Sequence, residues 1–369
     1  MKTKFVRFSK LSPRNLSDWN ELSYHSEPNA FATVEFISAA VQAFSVDPLV
    51  LLIHDDNNLV GVGAFERKIG TRAFPFPHLV SFMSEHSFSG GIMIHEGQKP
   101  YVISVLLEIM SGWISPLGGF EIPKMYIGSD THRCLSLAAS NMYIECEVLG
   151  VYSRSVLRIK DRTDKELTDI LGSKRVLDNT RNKRKLTALG IGGLSWRSFR
   201  GEIPKSVVES FLRIENTGWK KTEQTALGST QAGRRFFNNL ICNFQKSNRV
   251  LFTELCIGGR VIASTVNFLI RDVGFAFKIA VDDEFKKFSI GIMNEIEFMK
   301  NCKTAAPDIV IMDSCTGPNS FMNDLWSEDE VEVGMMVVPT ISASALAYEV
   351  AQRYREARRP TENIVTKCI

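Results

Sequence analysis

The 369-residue sequence has no stretch of about 18 apolar residues, so no membrane-spanning helix is expected. Its start, MKTKFVRFSKLSPRN, has no apolar core of the kind a secretory signal carries, and the expected location is cytoplasmic. The seven cysteines (Cys134, Cys146, Cys242, Cys256, Cys302, Cys315, Cys368) are odd in number, widely spaced and without a C-x-x-C pair. That argues against a disulfide framework and a zinc site, so buried thiols and no metal are expected. Neither charge sign dominates: 44 basic against 41 acidic residues leave +3, too little to predict nucleic-acid binding from the total. Histidine is absent after His132, and tyrosine is absent between Tyr152 and Tyr348. Chemistry in the second half must therefore use carboxylates, lysine, cysteine, water or a residue lent by the first half.

What is present is a 44% hydrophobic chain, long enough to bury one large core or two. Phe31, Val34, Ile37, Val41 and Phe44 share a helical face, Asp47-Pro48 stops that helix, and "LVLLI" and "LVGVGAF" follow as strands around His54–Asn58. The second half repeats the order with a helix over Gln231–Gln245, the strand "VLFTELC", the turn Ile257-Gly258-Gly259-Arg260 and "VIASTVNFLI". Either two ordinary hairpins coincide or the chain is an old duplication into two α/β lobes, 1–160 and 161–369, split near Lys160 where a polar helical stretch begins. Beyond the second hairpin the pattern alternates: strand Val273–Val281, helix Ile290–Asn301, strand Asp308–Asp313, short helix Pro318–Trp326, strand Val331–Val338 and a final helix Ser342–Arg358.

The stretch "GFAFKIAVDDEFKKFSIGIMNEIEFMK" carries the clearest candidate site. A two-residue period puts Phe275, Phe277, Ile279 and Val281 on one strand face and Gly274, Ala276, Lys278 and Ala280 on the other. The second face is nearly bare, which suits a packed helix or a slender ligand lying against the backbone. Ser289 is positioned to cap the following helix, and Gly291 falls in its first turn, where glycine costs about 1 kcal/mol relative to alanine. Unpaired amides at that helix start, with Lys286 and Lys287 just before it, suit a phosphate.

"IENTGWKKTEQTAL" (214–227), "FKIAVDDEFKKFSIG" (277–291), and "DSC" (313–315) followed by Leu325-Trp326 resemble the CelD-like proteins of cellulose and exopolysaccharide synthesis, a branch of the GNAT acyltransferase superfamily. The basic stretch "SKRVLDNTRNKRKLTALG" fits the same family, and the first half matches more loosely through "FSVDPLVLLIHDDNNLVGVGAF" and "HSFSGG". The resemblance implies two GNAT-like lobes, each a mixed, mostly antiparallel sheet flanked by helices, with acyl-CoA (acetyl-CoA) bound by the second. It implies pantetheine laid along the strand, pyrophosphate at the helix start, and direct attack of an amine or hydroxyl on the thioester. Where the family has Tyr-Ser-Pro-Gly this chain has Phe288-Ser289-Ile290-Gly291, so a tyrosine hydroxyl is missing.

The candidate catalytic residues are Asp313, as base or acceptor-orienting carboxylate, Lys278 on the bare strand face and His86, the histidine placed to reach across from the first lobe. For the cofactor they are Lys278, Lys286, Lys287, Ser289, Ile290, Gly291 and Ile292, and for the acceptor Glu215, Trp219, Lys220 and Asp282. Each has a structural alternative: loop-fixing for Asp313 and Asp282, snorkelling for Lys278, a buried hydrogen bond for His86, and core anchoring for Trp219. The run Lys174, Arg175, Arg181, Lys183, Arg184, Lys185, Arg197 and Arg200 against only Asp178 is a solvated face, an anion site for the CoA 3′-phosphate or a polymer, or an RNA surface. No aromatic residue interleaves its helical part, Lys174 to Lys185, so RNA is the least favoured. The expected function is acyl transfer from acyl-CoA to a small-molecule or saccharide acceptor. The alternatives are a FemX-like transferase using aminoacyl-tRNA and a non-catalytic accessory protein of polysaccharide assembly.

Overall fold

The computed structural model describes residues 1–111, 118–217, 226–339 and Val350. The expected final helix, Trp219 and Lys220 therefore lie outside the described residues. Among the described residues thirteen strands form one continuous mixed sheet with helices on both faces. The first half supplies β1 (Lys2–Arg7), β2 (Leu49–Asp55), β3 (Asn58–Lys68), β4 (His78–Ser81), β5 (Met93–Ile94), β6 (Gly119–Tyr126) and β7 (Glu147–Arg158). The second supplies β8 (Leu194–Arg200), β9 (Val250–Ile257), β10 (Arg260–Ile270), β11 (Val273–Val281), β12 (Ile311–Asp313) and β13 (Asp329–Pro339).

Both halves use one plan. β1 to β4 pair antiparallel and β4 pairs parallel with β6; β8 to β11 pair antiparallel and β11 pairs parallel with β12. The halves are joined by exchanged strands. β13, from the end of the chain, lies between β6 and β7, while β7 pairs with β12 on its other edge. Each half is thereby completed by the other.

The helices are α1 (Pro13–Leu22), α2 (Val34–Phe44), α3 (Lys99–Ser111), α4 (Asp130–Asn141), α5 (Asp164–Asp169), α6 (Gly172–Thr187), α7 (Lys205–Glu215), α8 (Gln231–Gln245), α9 (Ile290–Ala305) and α10 (Phe321–Leu325). Side-chain caps define several starts: Ser12 and Asn15 form a reciprocal box at α1, Thr33 accepts from the Phe36 amide at α2, and Thr230 accepts from Gly233 at α8. The matching helices α2 and α8 pack together across the two halves. Phe36 meets Phe236 edge to face at 5.6 Å, and Asn239 Nδ2 donates to Gln42 Oε1 at 3.0 Å. Nearby, Arg249 Nη1 lies 3.0 Å from Glu35 Oε1 and donates to Ser23 Oγ at 2.8 Å, a buried pair that again spans the halves.

Candidate functional site

β11 pairs with β12 over only three residues, Val273–Ile311, Gly274–Met312 and Phe275–Asp313. Beyond Phe275 the strands separate, and two adjoining cavities of about 440 and 300 Å³ follow the freed edge of β11 from Ala276 to Val281. They share Ile279 and Phe321, so together they form one groove. Its wider end is walled by Ile214, Glu215 and Thr217 at the end of α7 and by Ser289–Ile292 at the start of α9. Its narrow end is walled by Phe88 and by Ser314–Phe321 after β12. Thr217 Oγ1 donates to the Val281 carbonyl at 3.3 Å, which pins the end of α7 to the strand.

The expected alternation along β11 fails at its middle. Lys278 faces Val266 on β10 and Ala276 faces Asn267, leaving Phe277 without an opposite residue. This bulge reverses the faces beyond it, so Phe275, Phe277 and Ala280 enter one core while Ala276 and Ile279 enter another. A period count assumes an unbroken ladder and so misassigns Ile279 and Ala280. The bare face is also partly filled, because a Cβ on Gly274 would overlap the Met312 side chain. At Gly291 a Cβ would meet Val281 Cγ1 at 3.0 Å, so this glycine brings the first turn of α9 close against β11.

Ser289 stands at the N-cap of α9 in the left-handed region (φ 54°), and its side chain makes no capping bond. The expected serine cap is thus absent, because a left-handed cap residue turns its side chain away from the helix amides it would otherwise accept from. The first turn of a 16-residue helix opens on the groove without a protein side-chain cap. Lys286 lines the groove and pairs with Asp283 Oδ1 at 2.8 Å, while Lys287 is exposed with its ammonium 5.2 Å from the Phe288 ring centre. Phe288 itself is buried with Leu186, Phe285 and Ile290, so the position of the missing tyrosine points into the core rather than the groove. Ile290 is buried in that same cluster and Ile292 is half-buried. Asp282 is buried, accepts from Arg260 Nη2 at 2.7 Å and caps the Glu284 amide. It anchors the turn after β11 and does not line the groove.

His86 does reach across. Its ring stacks on Phe236 at 5.1 Å and lies in the field of Lys278, while burial, aided by that ammonium, lowers its pKa to about 3. His86 is therefore a neutral imidazole at ordinary pH. Lys278 is half-buried on the groove wall with its ammonium 5.5 Å from the Phe277 ring centre. Asp313 ends β12 next to the narrow end, is 3% exposed and lines a separate cavity of about 510 Å³ with Tyr126, Phe275 and Ile311 rather than the groove. Its Oδ2 accepts from Arg154 Nη2 at 2.7 Å and from the Tyr126 hydroxyl, and its Oδ1 accepts from the Cys315 amide at 2.7 Å. Burial, with the adjacent Asp313 adding to it, pushes the Tyr126 hydroxyl well above its ordinary range, so Tyr126 stays protonated as a donor. Arg154 and Tyr126 lie in the first half and escaped sequence reasoning. The sequence offers little signal for Arg154, which stands between Ser153 and Ser155 in a mixed polar and apolar strand.

The basic run is divided. Lys183 pairs with Glu297, Arg197 with Glu254 and Arg200 with Asp308, and Arg175 donates to the Asp324 carbonyl. Lys174, Arg181, Arg184 and Lys185 are exposed on α6 and enter no salt bridge among the described residues. Among those residues no group of His, Cys, Asp and Glu is placed to hold a metal ion, and no helix is long and apolar enough to cross a membrane.

Residues 174–321 match the family model described as acetyltransferase (GNAT) domain. No curated protein matches the chain in sequence. Among solved structures, FemX superposes with a TM-score of 0.58 at 10% identity, covering 95% of this chain and 99% of FemX. A conserved protein of unknown function from Bacteroides thetaiotaomicron gives 0.56 at 11% identity (91% and 100% covered), and L-PGS from Bacillus licheniformis gives 0.53 at 11% (93% and 96% covered). At such identities the likeness is one of fold, and it extends over both halves of the sheet. The match over 174–321 makes the second half of this chain similar to a GNAT acetyltransferase domain, and the splayed β11–β12 pair with α9 behind it lies within that stretch.

Proposed function

We propose that the chain is an acyl-CoA-dependent transferase that acylates an amine or hydroxyl of a small-molecule or sugar-derived acceptor. The observation that carries this reading is the pairing of a freed strand edge, Ala276–Val281, with the side-chain-uncapped first turn of α9 at the wide end of the same groove. An extended amide-bearing chain can add to a strand edge, and an anionic group is favoured at a helix N-terminus. Acyl-CoA, when bound, supplies an activated thioester and a diphosphate. The four residues from Val281 back to Phe277 span about 13 Å at roughly 3.3 Å each, which sets the bulge that distance from the anion seat.

In the reaction the acceptor nitrogen or oxygen bonds to the thioester carbon, the C–S bond breaks, and the thiolate leaves. The bulge at Phe277 releases main-chain amides from the β10 ladder beside the narrow end, where they meet developing charge on the carbonyl oxygen. Lys278 faces that end and is the lining group available to move the acceptor's proton, whereas His86, stacked on Phe236, is not among the described residues lining the groove. Asp313, held by three donors, acts by fixing Cys315 and Arg154 in place rather than as the base. Glu215 lines the wide end beside the anion seat, so we place it with the donor rather than the acceptor and keep the acceptor role for Trp219 and Lys220 on their motif alone. We place the two GNAT-like lobes at 1–160 and 161–369, and the resemblance to CelD-like proteins makes an exopolysaccharide-related acceptor the reading we favour.

A second reading, transfer from an aminoacyl-tRNA, draws on the exposed α6 cations Lys174, Arg181, Arg184 and Lys185. Thermal shift separates the two. Stabilisation by CoA or acetyl-CoA, lost in Gly291→Glu, is the expected result. A response to tRNA alone refutes CoA dependence, and a response to neither favours an accessory role.

A further inference from the structure

Among the described residues lining the groove, Phe88 alone comes from the first half of the chain. It sits at the narrow end, where the β11–β12 ladder shuts the groove at Phe275–Asp313. Its ring stands edge to face against Phe277 at 6.1 Å and Phe31 at 5.6 Å, so it closes the remaining side with an aromatic floor backed by buried core. The position is held by charge. Arg154 Nη1 donates to the Phe88 carbonyl at 2.8 Å, Arg154 Nη2 lies 2.7 Å from Asp313 Oδ2, and Asp313 Oδ1 accepts from the Cys315 amide on the facing wall at 2.7 Å. A single buried guanidinium therefore sets the spacing of both walls at this end.

We propose that Phe88 fixes the acyl class: the site takes short acyl groups of about two to four carbons, with Phe88 as the specificity-determining residue and Arg154 as the positioning residue behind it. This rests on the donor reading above. With the ladder shut and the ring in place, the way inward along β11 is blocked by the ring. Removing the ring opens the way toward Phe31 and the core behind it.

The test is calorimetric titration of the wild-type chain, Phe88→Ala and the milder Phe88→Leu with CoA, acetyl-CoA and hexanoyl-CoA, with circular dichroism melts establishing folding. For the wild type, hexanoyl-CoA is expected to bind at least about tenfold more weakly than acetyl-CoA, since one surplus methylene in a closed pocket already costs a factor of that order. Phe88→Ala brings the two ligands within about threefold of each other, with Phe88→Leu between, and Phe88→Leu decides the matter if the alanine variant does not fold. Equal binding of both ligands by the wild type, or an unchanged ratio in a folded variant, overturns the proposal. Absence of CoA binding by the wild type removes the donor site and this inference together, whereas CoA binding without chain-length preference removes the inference alone.

Discussion

Glu295→Gln is expected to stabilise the protein, and by an amount that depends on pH. Glu295 lies on the inner face of α9, 2% exposed, where its carboxyl accepts from Thr265 Oγ1 at 2.7 Å. Asn294 Nδ2 donates to Thr253 and Thr265 beside it at 2.9 Å, so the site is polar and enclosed. Burial pushes the Glu295 carboxyl from 4.5 up to about 7, with the Thr265 bond working against the rise. Because the folded value lies above the unfolded one, the folded state holds the proton more tightly. The associated stability is fully present below pH 4.5 and is lost as pH rises through about 7. At about 1.36 kcal/mol per pH unit over that interval, the charged carboxylate costs folding roughly 3 kcal/mol at pH 8. Glutamine keeps the acceptor for Thr265 and cannot ionise. Urea unfolding of both proteins between pH 4 and 8.5 should give a near-zero difference at the acid end, rising to roughly 3 kcal/mol in favour of the variant, about 4 °C in Tm for a chain of this length. A difference that stays flat across this range refutes the reasoning.

Two further outcomes follow from the cluster at the narrow end of the groove. Asp313→Ala strands the buried Arg154 guanidinium, and equilibrium unfolding should show a loss of about 3–5 kcal/mol; a loss under 1 kcal/mol would mean the pair is solvated. Since His86 is held down to about 3, a pH–rate profile should show no limb near pH 6.5 that vanishes in His86→Gln; finding such a limb contradicts the burial of His86.

Elements whose cause is local were legible in the sequence. The helix Gln231–Gln245 and the strand Val273–Val281 occupy the residues that periodicity assigns, and the hairpin turn at Gly258-Gly259 stands where two glycines permit positive φ. Elements whose cause is distant were not. The exchange of β7 and β13 depends on which edges remain open once both halves have formed, and no local pattern in Glu147–Arg158 encodes its partner. The bulge at Phe277 is an insertion relative to β10, so it appears only when both strands are in register. Gly274 and Gly291 were legible as anomalies, but their reasons, a Met312 side chain and a close Val281 contact, belong to neighbouring elements. Lys278, Lys286 and Ser289 to Ile292 were singled out from the sequence and line the groove, whereas Asp282 and Lys287 do not. Phe88 and Arg154 were missed because their importance lies in what they touch across the strand exchange.

Hydrogen exchange read by mass spectrometry, with and without saturating CoA, tests the donor groove most directly. The expected result is new protection confined to peptides covering 276–292 and 314–321, with little change on β8 or on the first half beyond the Phe88 loop. Protection that falls elsewhere, or none at millimolar CoA, would contradict the account.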